Sequence, residues 1–216
     1  MLKMRNITVR NVLIDFNLDV AEGEFIIITG ENGAGKTTLL NTISGSILPK
    51  NGQIFIDGED VTCKPQYART KLIASVAQDP KVGTVANMSI RDNMNSAYMR
   101  GKNRDFKSSC TANRDEFFKE KLKELKMGLE NRLDDLVGEL SGGQRQALSI
   151  IMAFLSDFKI LLLDEITAAL NSTNSEKIMN LVNQKCRTMR KTCLMITHNQ
   201  EQMQKFGDRV LLVERK

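Results

Sequence analysis

A chain of 216 residues, 41% hydrophobic and 26% charged, is within the size range of one large domain or two small ones and can bury a sizeable core. Its 31 basic and 26 acidic residues leave a net charge of +5, mild beside the concentrated basic faces that bind nucleic acid, so charge alone names no partner. No apolar run approaches the roughly 20 residues that span a bilayer, and Met1-Leu2-Lys3-Met4-Arg5 lacks the apolar stretch of a secretory signal. Cys63, Cys110, Cys186 and Cys193 are scattered with no C-x-x-C pair, which speaks against a zinc site or disulfide framework and fits a reducing cytoplasm.

In chain order, Leu2 to Val20 and Gln53 to Asp57 alternate like antiparallel strands, with turn chemistry at Asn51-Gly52 and Asp57-Gly58, and predict a small side sheet. Phe25 to Ile28, Ile160 to Leu163, Cys193 to Ile196 and Val210 to Val213 are short apolar runs. They read as parallel strands buried on both faces. Helical patterns over Lys36 to Ser44 and Glu176 to Met189 lie between them, the alternation of a doubly wound α/β core. From about Asp79 to Leu140 strand signals vanish. There Phe118, Leu122, Leu125 and Leu129 recur at helical spacing, which predicts one helix face within an inserted helical subdomain. Arg100, Lys102, Arg104 and Lys107 stand against a single Asp105, a run that reads as a solvated loop in preference to a lipid-headgroup or partner contact.

Gly30-Glu31-Asn32-Gly33-Ala34-Gly35-Lys36-Thr37 fits G-x-x-x-x-G-K-[ST] between a strand and a helix. Glycines let such a loop turn so that successive backbone N–H groups face phosphate oxygens, and the helix N-terminus adds partial positive charge. Lys36 would reach the β and γ phosphates, Thr37 would place its hydroxyl on Mg²⁺, and Thr38 would bond the α phosphate. Alone the motif specifies only a nucleoside triphosphate. Asp164 and Glu165 follow four apolar strand residues, at the carboxyl end where open α/β sheets bind ligands. Asp164 would hold Mg²⁺, and Glu165 would take a proton from the attacking water.

Leu140-Ser141-Gly142-Gly143-Gln144, ending 20 residues before Asp164, is identical to the signature motif of ATP-binding-cassette (ABC) proteins. Ser141 with the Gly142 and Gly143 amides would open a helix whose positive end faces a phosphate. Gln78 resembles the family's Q-loop glutamine, which contacts Mg²⁺ or the attacking water. His198, the one histidine of the chain, resembles its switch histidine. The likeness runs over essentially the whole chain. It is nearest to ATPase subunits of bacterial importers of amino-acid-like solutes, through Gln78-Asp79-Pro80, Gly83-Thr84, Asn87-Met88-Ser89-Ile90, Gly128 to Leu133 and Thr167-Ala168-Ala169-Leu170.

The resemblance implies a P-loop NTPase (RecA-like) α/β core with an N-terminal antiparallel β subdomain and an inserted α-helical subdomain, all in one domain over 1–216. Residues 1–78 and 142–216 would form the core with its β subdomain, and 79–141 the helical part ending in the signature. It further implies ATP with Mg²⁺, and a homodimer in which Ser141, Gly142, Gly143 and Gln144 of one copy clamp ATP held by residues 30–38 of the other. Transmembrane permease subunits would be the partners, an extracytoplasmic solute-binding protein would act indirectly in an importer, no nucleic acid is expected, and the place is the inner face of the cell membrane. Lys36, Gln78, Glu165 and His198 would be catalytic, and Thr37, Gln78 and Asp164 would attend the metal. Two positions depart from the family. Val9-Arg10-Asn11-Val12 lacks the aromatic residue that stacks on adenine, with Phe16 a poor substitute, and Asn171 stands where an aspartate usually couples the two sites. These departures keep a non-hydrolysing regulatory module as an alternative, beside a soluble ATPase acting on nucleic acid or ribosomes.

Overall fold

The computed structural model describes residues 1–100, 112–168 and 170–214. Lys102, Arg104, Asp105 and Lys107 of the basic run, together with Cys110 and Ala169, lie outside them. The chain divides into two compact units, each discontinuous in sequence. Unit 1 comprises Met1–Ser75, Phe158–Glu165 and Lys185–Lys216, and unit 2 comprises Val76–Asp157 and Ile166–Gln184.

Unit 1 carries both sheets. β1 (Leu2–Val9), β2 (Leu13–Val20), β4 (Asn51–Ile56) and β5 (Glu59–Asp60) form an antiparallel sheet in the order β2-β1-β4-β5. The turn between β4 and β5 is built on Asp57 and Gly58, at φ +50° and +80°, as a tight hairpin with two left-handed residues requires. Asn51-Gly52 is not a turn. Both residues belong to β4, and Gly52 (φ +96°) sits where the β1–β4 register shifts between Arg5 and Thr8. An extra residue absorbed in this way is a bulge.

The second sheet has the order β6-β7-β8-β3-β9, from β6 (Ile73–Val76), β7 (Ile160–Asp164), β8 (Thr192–Ile196), β3 (Phe25–Thr29) and β9 (Arg209–Leu212). β3 pairs in parallel with β8 and β9, and β7 with β8. The apolar residues of β3, β7 and β8 are buried throughout. β9 departs from the expectation of burial on both faces: Val210 and Leu212 are 50% and 57% exposed, because β9 is the sheet's edge strand. Ile26, Ile28, Leu162, Leu194 and Ile196 point to one face and share a core with Leu39 and Ile43 of α1 (Lys36–Ser44) and with Leu2, Met4 and Ile54 of the other sheet. Each such side chain contributes about 1.5–3 kcal/mol on burial. Beneath the carboxyl end of α1, Arg69 of α2 (Gln66–Arg69) is wholly buried. Its guanidinium donates to the carbonyls of Thr42 (2.9 Å), Ile43 (2.7 Å), Thr62 (3.1 Å) and Lys64 (2.8 Å). A cation there meets the negative helix end.

The described part of unit 2 is largely helical. It holds α3 (Pro80–Gly83), α4 (Ile90–Tyr98), α5 (Ala112–Lys123), α6 (Gly142–Ala153) and the first part of α7 (Ser172–Thr188), with a single bridge between Ser89 and Leu136. Phe118, Leu122, Leu125 and Leu129 are all buried, but only the first two share a helix. α5 stops at Lys123. The chain turns through Lys126 at φ +52° and Gly128 at φ +74°, so Leu125 and Leu129 return to the same core from a turn and a 3-10 segment. In α6, Arg145 to Ala153 are buried without interruption. α8 (Gln200–Phe206) belongs to unit 1.

Candidate nucleotide site

The loop between β3 and α1 is shaped by residues that other side chains could not replace. Gly30 has φ +146°, and a Cβ there would overlap the carbonyl oxygen of Val213, itself fixed by a 2.8 Å bond from Val213 N–H to Thr29. Gly33 sits at φ +82° with open space around it. Both conformations are cheap only for glycine. Ala34 N–H bonds back to Glu31 (3.2 Å), which closes the loop over the start of α1. Lys36 is 7% exposed, and its Nζ donates to the carbonyls of Gly30 (2.8 Å) and Glu31 (2.9 Å). The ammonium thus lies inside the curl of the loop. The turn through Arg10 borders it, with Val12 Cγ1 2.6 Å from where a Cβ on Gly35 would stand.

Three neighbouring parallel strands, β3, β8 and β7, deliver the remaining groups at their carboxyl ends. Thr37 Oγ1 donates to Asp164 Oδ2 at 3.2 Å, pairing the first turn of α1 with the end of β7. Burial pushes the Asp164 carboxyl above the usual Asp range, and neighbouring Glu165 adds to this, while the Thr37 bond and Lys36 act against it. Glu165 takes φ +46°, and its N–H bonds to the carbonyl of Ile196 at 3.1 Å. A non-glycine residue held in this region carries backbone strain of about 1–3 kcal/mol, a cost sustained where the surroundings over-determine the conformation. The strained corner turns the carboxylate toward β8, where His198 Nε2 lies 3.3 Å from Glu165 Oε1. Thr38 is half-buried on α1 and Asn32 is exposed at the loop tip.

Unit 2 holds the other residues singled out by sequence. Ser141 is the N-cap of α6 in a capping box: its Oγ accepts from Gln144 N–H (3.2 Å), and Gln144 Oε1 accepts from Ser141 N–H (3.2 Å). The S-x-x-Q pattern announces such a box. Ser141 Oγ still has a hydrogen to donate. Gly142 is exposed, with nothing within 4 Å of where a Cβ would be. A Cβ on Gly143 would stand 3.0 Å from Leu170 Cδ2. Gln78 is exposed, two residues past the end of β6. Asn171 caps α7, its Oδ1 accepting from Asn174 N–H at 2.9 Å, a role that asparagine and aspartate fill equally well. Among the described residues no group of three or more His, Cys, Asp or Glu could hold a metal ion by itself.

A phosphate-cradling loop, its lysine and a strand-end carboxylate on a parallel α/β sheet define a P-loop NTPase. Residues 13–168 match the family described as ABC transporter. The chain is 39% identical over 201 residues to the tyrosine transport ATP-binding protein of Clostridioides difficile, covering 93% of this chain and 80% of that protein. It is 32% identical over 223 residues to the thiamine import ATP-binding protein ThiQ of Escherichia coli K12, covering 99% and 88%. Its fold matches the dimeric, post-hydrolysis structure of the ATP-binding cassette MJ0796 bound to ADP and Pi, with a TM-score of 0.83 and 26% identity over 100% of this chain and 95% of that one. The chain belongs to the ABC transporter family, as an ATP-binding, ATP-hydrolysing subunit.

Proposed function

We propose that this subunit powers import of a small, amino-acid-like solute through separate permease subunits at the inner face of the membrane. The observation that carries the catalytic part is the convergence of Lys36, Thr37, Asp164, Glu165 and His198 at the carboxyl ends of β3, β7 and β8. The cradle suits a triphosphate, since Lys36 already lies within the loop. The hydroxyl and carboxylate of Thr37 and Asp164 are the hard oxygen donors that Mg²⁺ takes. Bound there, Mg²⁺ would offset charge on the β and γ phosphates.

Residues 30–36 and Thr38 bind and orient ATP. Glu165 accepts a proton from the attacking water, and His198 fixes its carboxylate. Gln78 would contact Mg²⁺ or the attacking water, as the Q-loop glutamine it resembles does. Ser141, Gly142, Gly143 and Gln144 of a second copy close over the γ phosphate, with the Ser141 hydroxyl hydrogen and the first amides of α6 as donors. The site is complete only in the dimer.

No helix among the described residues is long and apolar enough to cross a membrane, so passage of the solute falls to the permease. Support for its docking on unit 2 comes from Val82, Val85, Met88 and Leu136, which are 76%, 53%, 36% and 44% exposed. Met88 and Leu136 are neighbours through the Val137-to-Met88 backbone bond (3.1 Å) and the Ser89–Leu136 bridge. Apolar side chains exposed side by side mark an interaction surface. A solute-binding protein outside the membrane would deliver the solute to the permease.

The test is ATP turnover and mass in solution for wild type and Glu165→Gln. Loss of the base costs about 10²–10⁴-fold in kcat, and the variant with Mg²⁺ and ATP elutes as a dimer. A monomer under those conditions refutes the clamp, and undiminished turnover refutes the base.

A further inference from the structure

Gln146 has no part in the chemistry set out above, yet it is 0% exposed, on the second turn of the helix that the signature opens. A buried amide must find hydrogen-bond partners or bear a desolvation cost. Its Nε2 donates to the carbonyl of Ala77 at 3.2 Å, and its Oε1 has no partner among the described residues. A carbonyl can only accept, so the end facing Ala77 must be the amide nitrogen. Ala77 C=O and Gln78 N–H belong to one planar peptide unit. Whatever fixes that carbonyl therefore fixes the plane from which Gln78 departs.

The neighbouring residue fastens the far side of the same segment. Arg145, 9% exposed, donates from Nε to Thr84 Oγ1 at 2.5 Å and from a terminal nitrogen to Thr84 O at 3.2 Å. The Thr84 hydroxyl passes its own hydrogen to Pro80 O at 2.8 Å. Between these anchors, Asp79 caps α3 by accepting from Lys81 N–H at 2.9 Å. Two consecutive residues of α6 thus grip both ends of the stretch 77–84. The Arg145 N–H bonds to Ser141 O at 2.9 Å, in the turn that the signature serine caps.

We infer that Gln146 is a positioning residue for Gln78, tying the Gln78 peptide to the signature helix so that the two move as one body. The inference rests on the proposed role of Gln78 at the attacking water. A displacement of α6 when Ser141 meets a phosphate is passed to Gln78 through one amide hydrogen bond and one guanidinium pair.

The experiment is a four-protein cycle on the full chain: wild type, Gln78→Ala, Gln146→Met and the double variant. Methionine keeps the length and suits a buried position, but has no N–H to donate. The readouts are kcat, KM for ATP, affinity for a fluorescent ATP analogue, and Tm. A net hydrogen bond lost at the moment of reaction corresponds to about tenfold in rate. The expected result is a kcat lowered about tenfold in Gln146→Met, with KM and analogue affinity within about twofold of wild type, and a double variant no slower than Gln78→Ala. Unchanged kcat in Gln146→Met overturns the inference, as does a double variant in which the two losses multiply. A simple packing role would give that multiplication. Wild-type kcat in Gln78→Ala overturns the reading of Gln78 itself, and the positioning role with it. Should the methionine variant fail to fold, Gln146→Leu carries the same expectations.

Discussion

Substituting the first and second glycines of the phosphate loop by alanine separates two physical effects. At Gly33 a Cβ meets nothing within 4 Å, so Gly33→Ala suffers only the left-handed backbone at φ +82°, about 1–2 kcal/mol. At Gly30 the backbone, φ +146°, is as unfavourable, and the Cβ would also be driven into the Val213 carbonyl. That oxygen belongs to a segment tied to Thr29 and cannot retreat as a side-chain end would. Strain of about 1–3 kcal/mol and overpacking of about 1–3 kcal/mol together give roughly 2–6 kcal/mol, against a total stability of about 5–15 kcal/mol for a native protein. At about 2–4 °C per kcal/mol for a chain of this size, Gly30→Ala melts several degrees below Gly33→Ala. Urea unfolding followed by circular dichroism, with thermal melts alongside, gives the comparison. If Gly33→Ala is as destabilised as Gly30→Ala, the close approach of Val213 does not shape the loop and the reasoning fails.

The remaining predictions concern stability and partners. Asp208 takes a bidentate pair from Arg187 (2.8 and 2.6 Å) and the Phe25 N–H at 2.8 Å, so its carboxyl lies below the usual range, chiefly through the Arg187 bond. A lowered folded-state pKa stabilises above the ordinary Asp value near 3.8 and is lost as pH falls through the depressed value. Asp208→Asn should therefore cost about 1 kcal/mol at pH 7, with a gap to wild type that closes in melts below about pH 4; a gap independent of pH would count against this. Val82→Glu with Val85→Glu should abolish co-purification with the permease while leaving Tm and the isolated ATPase rate near wild type, and retained co-purification would move the docking surface elsewhere.

What could be read from the sequence follows from where the determining physics lies. The loop from Gly30 to Thr37 was legible because phosphate binding by backbone amides demands glycines at set spacings, and β3 and α1 follow from their own periodicity. β7 and β8 were legible as unbroken apolar runs. β9 looked the same, but whether a strand lies at an edge depends on which partners flank it, and no local pattern carries that. Asn51-Gly52 has hairpin chemistry, yet both residues lie within β4, with Gly52 opposite a bulge in β1. The helical spacing through Leu129 outlasts its helix, because burial continues after the backbone turns at Lys126. Arg69, Arg145 and Gln146 gave no signal: their partners are backbone carbonyls and a hydroxyl remote in sequence. Nor did composition hint at the positive φ of Glu165, which is set by its bond to Ile196.

β3, the strand that presents the phosphate loop, is flanked on both sides by strands made much later, and Phe25 is joined to Asp208 across 183 positions of sequence. During synthesis it therefore waits without sheet neighbours until β8 and β9 have emerged. Closing so long a loop is slow relative to local helix formation. The helices of unit 2 can form while the cradle strand is still exposed, apolar and unpaired, a span that a chaperone has reason to shield.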